Sequence, residues 1–246
     1  MKIAIVGLGQ MGQAIKKISE AKGHTVVTID PQNPEAQFKV IDSNSLTGVD
    51  VGIEFTAPSA VMENIEKFCN LKVPLVIGTT GWYNQIDIVK EKVSKSDSTI
   101  IYASNFSIGV NVFFKMVEKT AKIIDKFKDF DVSGIEVHHN KKVDSPSGTA
   151  ITTGNILKDN IKRKKRLVFD KLDRKIEPDE IHFASLRAGF VPGSHEVIYD
   201  SPAETINLKV SARNREGYAL GSVIAAEWVY NKKGFYNFEQ VIDEMI

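Results

Sequence analysis

The fold is decided by one stretch near the start of the sequence, Lys2-Ile3-Ala4-Ile5-Val6-Gly7-Leu8-Gly9-Gln10-Met11-Gly12. Its first five residues form an apolar, β-branched run that is typical of a strand buried in a parallel sheet. The next six spell GxGxxG, and apolar residues at helical spacing follow over 11–21. A glycine loop between a strand and a helix lets the backbone approach a pyrophosphate at the helix N-terminus. The sequence therefore predicts a dinucleotide site at Gly7, Leu8, Gly9, Gln10, Met11 and Gly12.

An acidic residue and a second glycine turn extend this prediction. Asp30 follows the predicted strand 25–29 and stands 18 positions after Gly12, where an acid accepts hydrogen bonds from the adenosine ribose. A second glycine turn, 78–81, follows a later strand, and ligands of such sheets lie beyond the carboxyl ends of the strands. We therefore expect the nicotinamide half of the cofactor beside Gly78, Thr79 and Thr80. The alternative for either glycine turn is a plain strand–helix connection without a ligand.

Strands and helices alternate along the first hundred residues. We predict strands at 2–6, 25–29, 49–55, 74–77 and 99–102, and helices at 11–21, 58–71 and 83–95. This alternation indicates an α/β Rossmann fold with a doubly wound parallel sheet.

The pattern changes after about residue 105, where strands outnumber helices. We predict strands at 132–139, 181–187, 196–200 and 205–212, and helices at 109–124, 147–161 and 216–230. Several strands with few helices are typical of a second domain of the α+β type.

The composition excludes several classes of protein. Among 246 residues, 32 Lys+Arg balance 31 Asp+Glu, so the net charge of +1 gives no general attraction to nucleic acid. Cys69 is the only cysteine, which excludes an intramolecular disulfide and argues against a cysteine-based metal site. No apolar run approaches the roughly 20 residues of a membrane helix, and the apolar N-terminus runs straight into glycines. We expect a soluble, cytoplasmic protein without a membrane or nucleic-acid partner.

One short block of like charge, Lys162-Arg163-Lys164-Lys165-Arg166, stands out from this balance. It could contact nucleic acid or another anionic partner. Because no aromatic residues are interleaved with it, the sequence favours a solvated loop or helix end.

The residues best suited to chemistry lie in Glu136-Val137-His138-His139-Asn140-Lys141-Lys142-Val143-Asp144. Adjacent side chains on a strand point to opposite faces, so only one of the two histidines can face a given cleft directly. The sequence contains no HExxH and no obvious third ligand, so we predict no metal site. The alternative is a pair of half-buried histidines near a strand end.

The next segment, Ser145-Pro146-Ser147-Gly148-Thr149-Ala150, leads into a predicted helix. Ser147 and Gly148 are expected to offer free backbone N–H groups at its N-terminus, which favour an anion. With Lys142 and an imidazole close by in sequence, the segment suits a small, multiply charged acid. The alternative is an ordinary serine N-cap.

Together these segments resemble the dihydrodipicolinate (4-hydroxy-tetrahydrodipicolinate) reductase family along nearly the whole chain. The resemblance is carried by the segments 7–12, 78–81, 104–111, 136–150, 187–189 and 193–196. It implies NADH- or NADPH-dependent reduction of an unsaturated ring dicarboxylate in the diaminopimelate route to lysine. It also implies a Rossmann domain over 1–108 and 214–246, an inserted substrate-binding and tetramerisation domain over 109–213, and a homotetramer.

The resemblance also implies individual roles. His138 is expected to act as the acid/base residue and Lys142 as the proton donor. The substrate contacts it implies are His139, Ser147, Gly148 and Thr149. It adds four cofactor contacts, Ala103, Ser104, Asn105 and Phe106. Many members carry an arginine after the second strand for the 2′-phosphate of NADPH, whereas Pro31 and Gln32 follow Asp30 here. We therefore expect NADH to be used at least as well as NADPH.

Two other functions stay open at this point. Another two-domain Rossmann amino-acid or sugar dehydrogenase would account for the glycine loop, but it leaves the block from His138 to Thr149 unexplained. An NADH-sensing regulator could use the basic block 162–166 to contact DNA, although the sequence shows no helix-turn-helix or winged element.

Overall fold

The computed structural model describes residues 1–245, which form two compact units. The first unit is Met1–Ile108 together with the residues from Arg215 onward, and the second unit is Gly109–Asn214. In chain order the elements are β1 (Lys2–Val6), α1 (Gln10–Ala21), β2 (Thr25–Ile29), β3 (Val51–Glu54), α2 (Val61–Leu71), β4 (Leu75–Ile77), a 3₁₀ turn (Tyr83–Gln85), α3 (Ile86–Ser96), β5 (Thr99–Tyr102), α4 (Ile108–Ile124), β6 (Asp131–His138), α5 (Gly148–Asn160), β7 (Arg166–Val168), β8 (Glu180–Arg187), β9 (Ser194–Asp200), β10 (Thr205–Ser211), α6 (Glu216–Val229), β11 (Gly234–Asn237) and α7 (Phe238–Met245).

The first unit is built on a parallel sheet with the strand order β11-β5-β4-β3-β1-β2. One face packs against α1, α6 and α7, where Ile3 and Ile5 meet Val223. The other face packs against α2 and α3, where Ala4 meets Phe68. Because both faces are covered, the central strands read as continuous apolar runs. The predicted doubly wound Rossmann sheet is confirmed.

The end of the first unit was not predicted. β11 pairs with β5 as an edge strand, and the short helix α7 follows it at once. A strand of four residues and a helix of eight are too short for the hydrophobic period to show clearly in the sequence.

The second unit is a mixed sheet with the order β10-β9-β6-β8-β7. Strand β6 lies in the middle, antiparallel to β9 and parallel to β8. Its side chains alternate, so Val132 packs with Phe113 of α4 and Leu157 of α5, while its other face carries Ile135 and Val137. The predicted α+β character of this segment is confirmed.

The basic block 162–166 is only partly the solvated segment that the sequence predicts. Lys162 and Lys165 are exposed as expected, but Lys164 is only 3% exposed. Its ammonium donates to the carbonyl oxygens of Pro178 (2.9 Å) and Glu180 (2.8 Å), and pairs with Asp131 (2.6 Å). A buried ammonium needs such acceptors to replace its hydration. The prediction of a solvated loop is therefore wrong at Lys164, which joins three segments of the second unit.

None of the helices within residues 1–245 combines the length and the apolar character that a membrane crossing requires.

Candidate functional site

The glycine loop of the first unit is fixed by steric contacts of its backbone. Gly7 has a φ of +89°, and a Cβ there would lie 2.2 Å from the carbonyl oxygen of Phe55. A Cβ on Gly12 would lie 2.0 Å from the carbonyl oxygen of Gly7. Only glycine avoids both collisions. By contrast, no atom lies within 4 Å of the Cβ position on Gly9, so a ligand could approach the backbone there.

Helix α1 begins immediately after this loop, at Gln10, and no side chain caps it. The first N–H groups of a helix have no partner within the helix and carry the positive end of its dipole. Gln10, Met11 and Gly12 therefore place this end of α1 beside the open backbone at Gly9. These backbone groups could hold a pyrophosphate.

Asp30 ties the loop to the end of β2. Its Oδ2 accepts the N–H of Leu8 (2.7 Å), and its Oδ1 accepts the N–H groups of Gln32 (2.8 Å) and Asn33 (3.0 Å). Burial opposes its ionisation, but these hydrogen bonds outweigh burial and lower the pKa of the carboxyl. Sequence reasoning missed this loop-holding role. A carboxylate has about four acceptor sites, so one remains for a ribose hydroxyl.

A cavity of about 610 Å³ opens beside the loop. Its lining includes Gly7, Gly9, Asp30, Gln32, Lys39 and Lys67. The two lysines were not predicted, because neither belongs to a recognisable motif. Both have partners: the Lys39 ammonium donates to the carbonyl of Asn33 (2.5 Å), and Lys67 pairs with Glu63 (2.6 Å).

The second glycine turn lies at the same edge of the sheet. The hydroxyl of Thr79 accepts the N–H of Thr56 (2.7 Å), and the indole of Trp82 donates to the carbonyl of Thr79 (2.8 Å). Beneath them the buried Glu54 bonds to Thr56, and burial raises its pKa. The residues after β5 begin beside this turn, since the N–H of Ala103 donates to Ile77 (3.3 Å). The structure thus groups Gly78, Thr79 and Thr80 with Thr56 of the cavity wall and with the start of the segment Ala103, Ser104, Asn105 and Phe106.

The second unit contains a separate cluster of buried polar side chains. Glu136 and His138 share one face of β6, and strand pairing places Arg187 opposite His138 and His195 opposite Glu136. Oε2 of Glu136 lies 2.5 Å from Nδ1 of His138. Oε1 of Glu136 accepts from the guanidinium of Arg187 (2.9 Å). The ring of His195 stands edge-on to that of His138, with 5.2 Å between centroids.

These contacts fix the charges in the cluster. Burial would raise the pKa of Glu136, but hydrogen bonds from Ser185, Arg187 and Ser147 outweigh it and lower the pKa to about 2. Burial lowers the pKa of His138, and the charge of Lys142 lowers it further, while Glu136 opposes both. Burial also lowers the pKa of His195, to about 4. Near neutral pH the carboxylate is therefore ionised and both imidazoles are neutral.

The loop after β6 carries the remaining predicted residues. The ammonium of Lys142 pairs with Asp144 (2.8 Å), and the hydroxyl of Ser147 caps α5 by accepting the N–H of Ala150 (3.2 Å). Gly148 faces open space, and Thr149 follows it in the first turn of α5. His139 is half-buried, and its Nδ1 has no hydrogen-bond partner among residues 1–245.

The prediction of a free N–H at Ser147 is wrong. That N–H donates to Oε1 of Glu136 (3.0 Å), since the strand β6 brings the carboxylate beside the cap. Sequence reasoning did not assign Glu136, Arg187 or His195 to the site. The two-residue spacing of Glu136 and His138 was the available signal, because it places both on one face of a strand.

Glu136, His138 and His195 also form the one group of potential metal ligands within the described part of the chain, with all three ligand atoms within 4.8 Å. Ligands about 2.0–2.1 Å from a tetrahedral ion lie roughly 3.3 Å apart. The 2.5 Å between Glu136 and His138 is a hydrogen-bond distance instead. Arg187 already occupies the other carboxylate oxygen. The donor set does not fit a metal ion.

Comparison with known proteins identifies the family of the chain. Residues 1–106 match the family model described as "Dihydrodipicolinate reductase, N-terminus", and residues 109–242 match "Dihydrodipicolinate reductase, C-terminus". A 4-hydroxy-tetrahydrodipicolinate reductase from Christiangramia forsetii is 38% identical over 100% of this chain and 99% of its own. The reductase of the same name from Staphylococcus saprophyticus is 33% identical over 98% of this chain and all of its own.

A solved structure shares the fold. A dipicolinate-bound dihydrodipicolinate reductase from Paenisporosarcina sp. TG-14 superimposes with a TM-score of 0.79 at 22% identity, covering 98% of this chain and 99% of that one. The C-terminal family model covers the block around His138, which another Rossmann dehydrogenase would leave unexplained. The chain therefore belongs to the dihydrodipicolinate reductase family, whose members are nicotinamide-dependent oxidoreductases of the diaminopimelate route to lysine.

Proposed function

We propose that the chain reduces dihydrodipicolinate, which the 4-hydroxy-tetrahydrodipicolinate ring yields by loss of water, to tetrahydrodipicolinate. The hydride comes from the nicotinamide and the proton from Lys142. The observation that carries this proposal is the grouping of His138 and Lys142 near the N-terminus of α5, with Glu136 joining His138 to Ser147. In the proposed division, 1–108 with 214–246 binds the dinucleotide, and 109–213 binds the substrate and forms the tetramer.

The substrate is a ring that carries two carboxylates, and the dipicolinate bound to the Paenisporosarcina reductase is such a ring. The first turn of α5, at Gly148 and Thr149, presents backbone N–H groups to one carboxylate. His139 and Ser147 complete the proposed contacts. Lys142 supplies a positive charge, for which a substrate carboxylate would compete with Asp144.

Reduction of a conjugated double bond requires a hydride and a proton at adjacent atoms. The ammonium group of Lys142 carries a transferable proton, which the substrate can accept. His138 is neutral near pH 7, so it can accept a hydrogen bond or a proton. We therefore assign proton donation to Lys142 and the acid/base support of that step to His138.

For the cofactor, we propose that NADH is used at least as well as NADPH. The carboxylate of Asp30 repels a 2′-phosphate and can accept a ribose hydroxyl. The nearby cations Lys39 and Lys67 are already engaged by Asn33 and Glu63. The proposed contacts are Gly7, Leu8, Gly9, Gln10, Met11, Gly12, Asp30, Gly78, Thr79, Thr80, Ala103, Ser104, Asn105 and Phe106.

We propose a homotetramer that assembles through the sheet of the second unit. Ile135 and Val137 of β6 and Ala184 and Leu186 of β8 lie on the face opposite α4 and α5. Leu186 is 49% exposed, and a contiguous apolar sheet face of this kind favours association. Light scattering on the purified protein is expected to give the mass of four chains.

The activity is tested by following NADH oxidation at 340 nm while the substrate forms in situ from pyruvate and aspartate semialdehyde. NADPH is run in parallel, and a reaction without pyruvate measures the background. Oxidation that requires both carbon substrates supports the proposal. No oxidation above background with either cofactor would contradict it.

A further inference from the structure

Glu136 is the most enclosed charged group of the second unit. Its side chain is 0% exposed, so it cannot reach a bound substrate. It nevertheless connects three functional parts: His138 through Oε2, and Ser147 and Arg187 through Oε1. The proposed reaction uses His138 and the N-terminus of α5, but it assigns no task to the carboxylate that joins them.

The contact with His138 decides which imidazole nitrogen carries the proton. A neutral imidazole has one N–H, and a partner on one nitrogen selects the tautomer. Oε2 of Glu136 and Nδ1 of His138 lie 2.5 Å apart, and no other residue among residues 1–245 bonds to this nitrogen. A carboxylate only accepts hydrogen bonds, so the proton must lie on Nδ1. Nε2 then becomes the acceptor.

A glycine lies beside the other edge of the imidazole. A Cβ on Gly193 would lie 3.0 Å from Nε2 of His138, closer than ordinary van der Waals contact. Any side chain at this position would press against that nitrogen. The carboxylate on one edge and the glycine on the other thus leave Nε2 as the working atom of the ring.

The contact with Ser147 replaces a missing part of the α5 cap. In a capping box, a Glu or Gln at the third helical position accepts the N–H of the N-cap residue. Here the N-cap is Ser147 and the third position is Ala150, which cannot accept a hydrogen bond. Glu136 accepts it from β6 instead. One carboxylate therefore fixes both the imidazole and the helix end that carries Gly148 and Thr149.

Arg187 keeps this carboxylate charged. Its guanidinium also donates to the carbonyl of Asp144 (2.6 Å), which anchors it between β8 and the loop that holds Lys142. Hydrogen bonding lowers the pKa of Glu136 to about 2, despite its burial. Glu136 therefore stays ionised at the neutral pH at which the imidazole of His138 is uncharged.

We propose that Glu136 is a positioning residue, which holds His138 as the Nδ1–H tautomer with Nε2 as acceptor and aligns the imidazole with the N-terminus of α5. The effect on turnover rests on the proposed function, while the tautomer does not. The charged or titratable groups around His138 are Glu136 on β6, Lys142 on the following loop, Arg187 on β8 and His195 on β9. Among these, only Glu136 is negative, so its removal lowers the pKa of His138.

The test combines ¹⁵N NMR of the histidine side chains with steady-state kinetics on the full chain. In the wild type at pH 8, His138 is expected to show a protonated Nδ1 and an unprotonated Nε2, with His138→Gln assigning the signals. In Glu136→Gln, the pKa of His138 falls, the tautomer preference weakens, and kcat drops about 10–100-fold, the range found for other outer-shell partners of functional histidines.

Glu180→Gln is the matched control. Glu180 is another buried carboxylate of the second unit, paired with Arg174 (2.8 Å). Its replacement is expected to lower the melting temperature without changing the His138 signals or the pH profile of kcat. If Glu136→Gln behaves in the same way, Glu136 is only structural and the inference fails.

A protonated Nε2 in the wild type would overturn the inference even if Glu136→Gln did not fold. If the wild type shows the Nδ1–H tautomer but reduces no substrate, the proposed function fails while the tautomer assignment stands. If the wild type is active and His138 keeps its tautomer and pKa in Glu136→Gln, the assignment fails while the function stands.

Discussion

The glycine loop of the first unit and the Glu136–His138 cluster of the second unit are built in opposite ways. The loop consists of backbone, and it tolerates no side chain at Gly7 or Gly12 because carbonyl oxygens lie 2.2 and 2.0 Å from the Cβ positions. The cluster consists of side chains that three paired strands bring together. We therefore expect damage to the loop to be steric and to weaken cofactor binding, and damage to the cluster to be electrostatic and to lower turnover.

The largest effect is expected from Lys142→Ala, which removes the proposed proton donor. Loss of general acid catalysis costs about 10²–10⁴-fold in rate, so kcat should fall by that factor. NADH affinity and melting temperature should stay unchanged, because the loop 7–12 belongs to the other unit. Steady-state kinetics, NADH fluorescence titration and thermal melts measure the three quantities.

Lys141→Ala is the control for this change, since Lys141 is an exposed neighbour of the same charge. It should retain wild-type turnover. If Lys142→Ala also keeps near-normal turnover, the proton donor is another residue, and the cluster does not limit turnover in the proposed way.

Gly12→Ala tests the steric half of the comparison. The new methyl group would lie 2.0 Å from the carbonyl oxygen of Gly7, so the loop must move. NADH affinity should fall more than tenfold, equivalent to about 1.4 kcal/mol, and the melting temperature should fall as well. In Gly9→Ala the methyl group meets open space, so stability should be kept and only cofactor affinity reduced. Equal melting temperatures for the two variants would show that Gly12 is not sterically required.

The elements that the sequence predicts well are those built from contiguous residues, like the glycine loop. The strands β1, β2 and β5 match their predicted bounds, because each is a local run of apolar, β-branched residues. The glycine loop is likewise contiguous in sequence. The surroundings of His138 were not predictable in full, since Arg187 and His195 reach it only through the pairing of β6 with β8 and β9. The burial of Lys164 depends on oxygen atoms from two distant segments.

The pH dependence of stability tests the buried imidazoles. His195 binds fewer protons in the folded than in the unfolded protein, because its pKa is about 4 instead of 6.5. Its contribution to stability is therefore complete above about pH 6.5 and is lost as the pH falls toward 4, by about 3 kcal/mol. Urea unfolding at several pH values measures this loss.

His195→Gln should make the pH dependence of the unfolding free energy between pH 6.5 and 4 shallower. An unchanged slope in His195→Gln would show that His195 is not held neutral by its surroundings.

The last prediction concerns the stability of the protein and compares two lysines of the basic block. Lys164→Gln removes a buried ammonium that has three oxygen partners and should cost about 1–3 kcal/mol of unfolding free energy. Lys165→Gln changes an exposed side chain and should stay within about 0.5 kcal/mol. Chemical denaturation measures the unfolding free energy of both variants. Equal values would show that the whole block behaves as a solvated loop.

The most direct test of the central claim is the fate of the hydride. NADH that carries deuterium at both C4 positions is mixed with the substrate formed from pyruvate and aspartate semialdehyde. The mass of the tetrahydrodipicolinate product is then measured by mass spectrometry. Direct hydride transfer predicts one deuterium atom in each product molecule. The Lys142→Ala variant should form this product more slowly but with the same label. A reduced product of ordinary mass, or no reduced product at all, would contradict the assignment of this chain as a nicotinamide-dependent reductase of the ring.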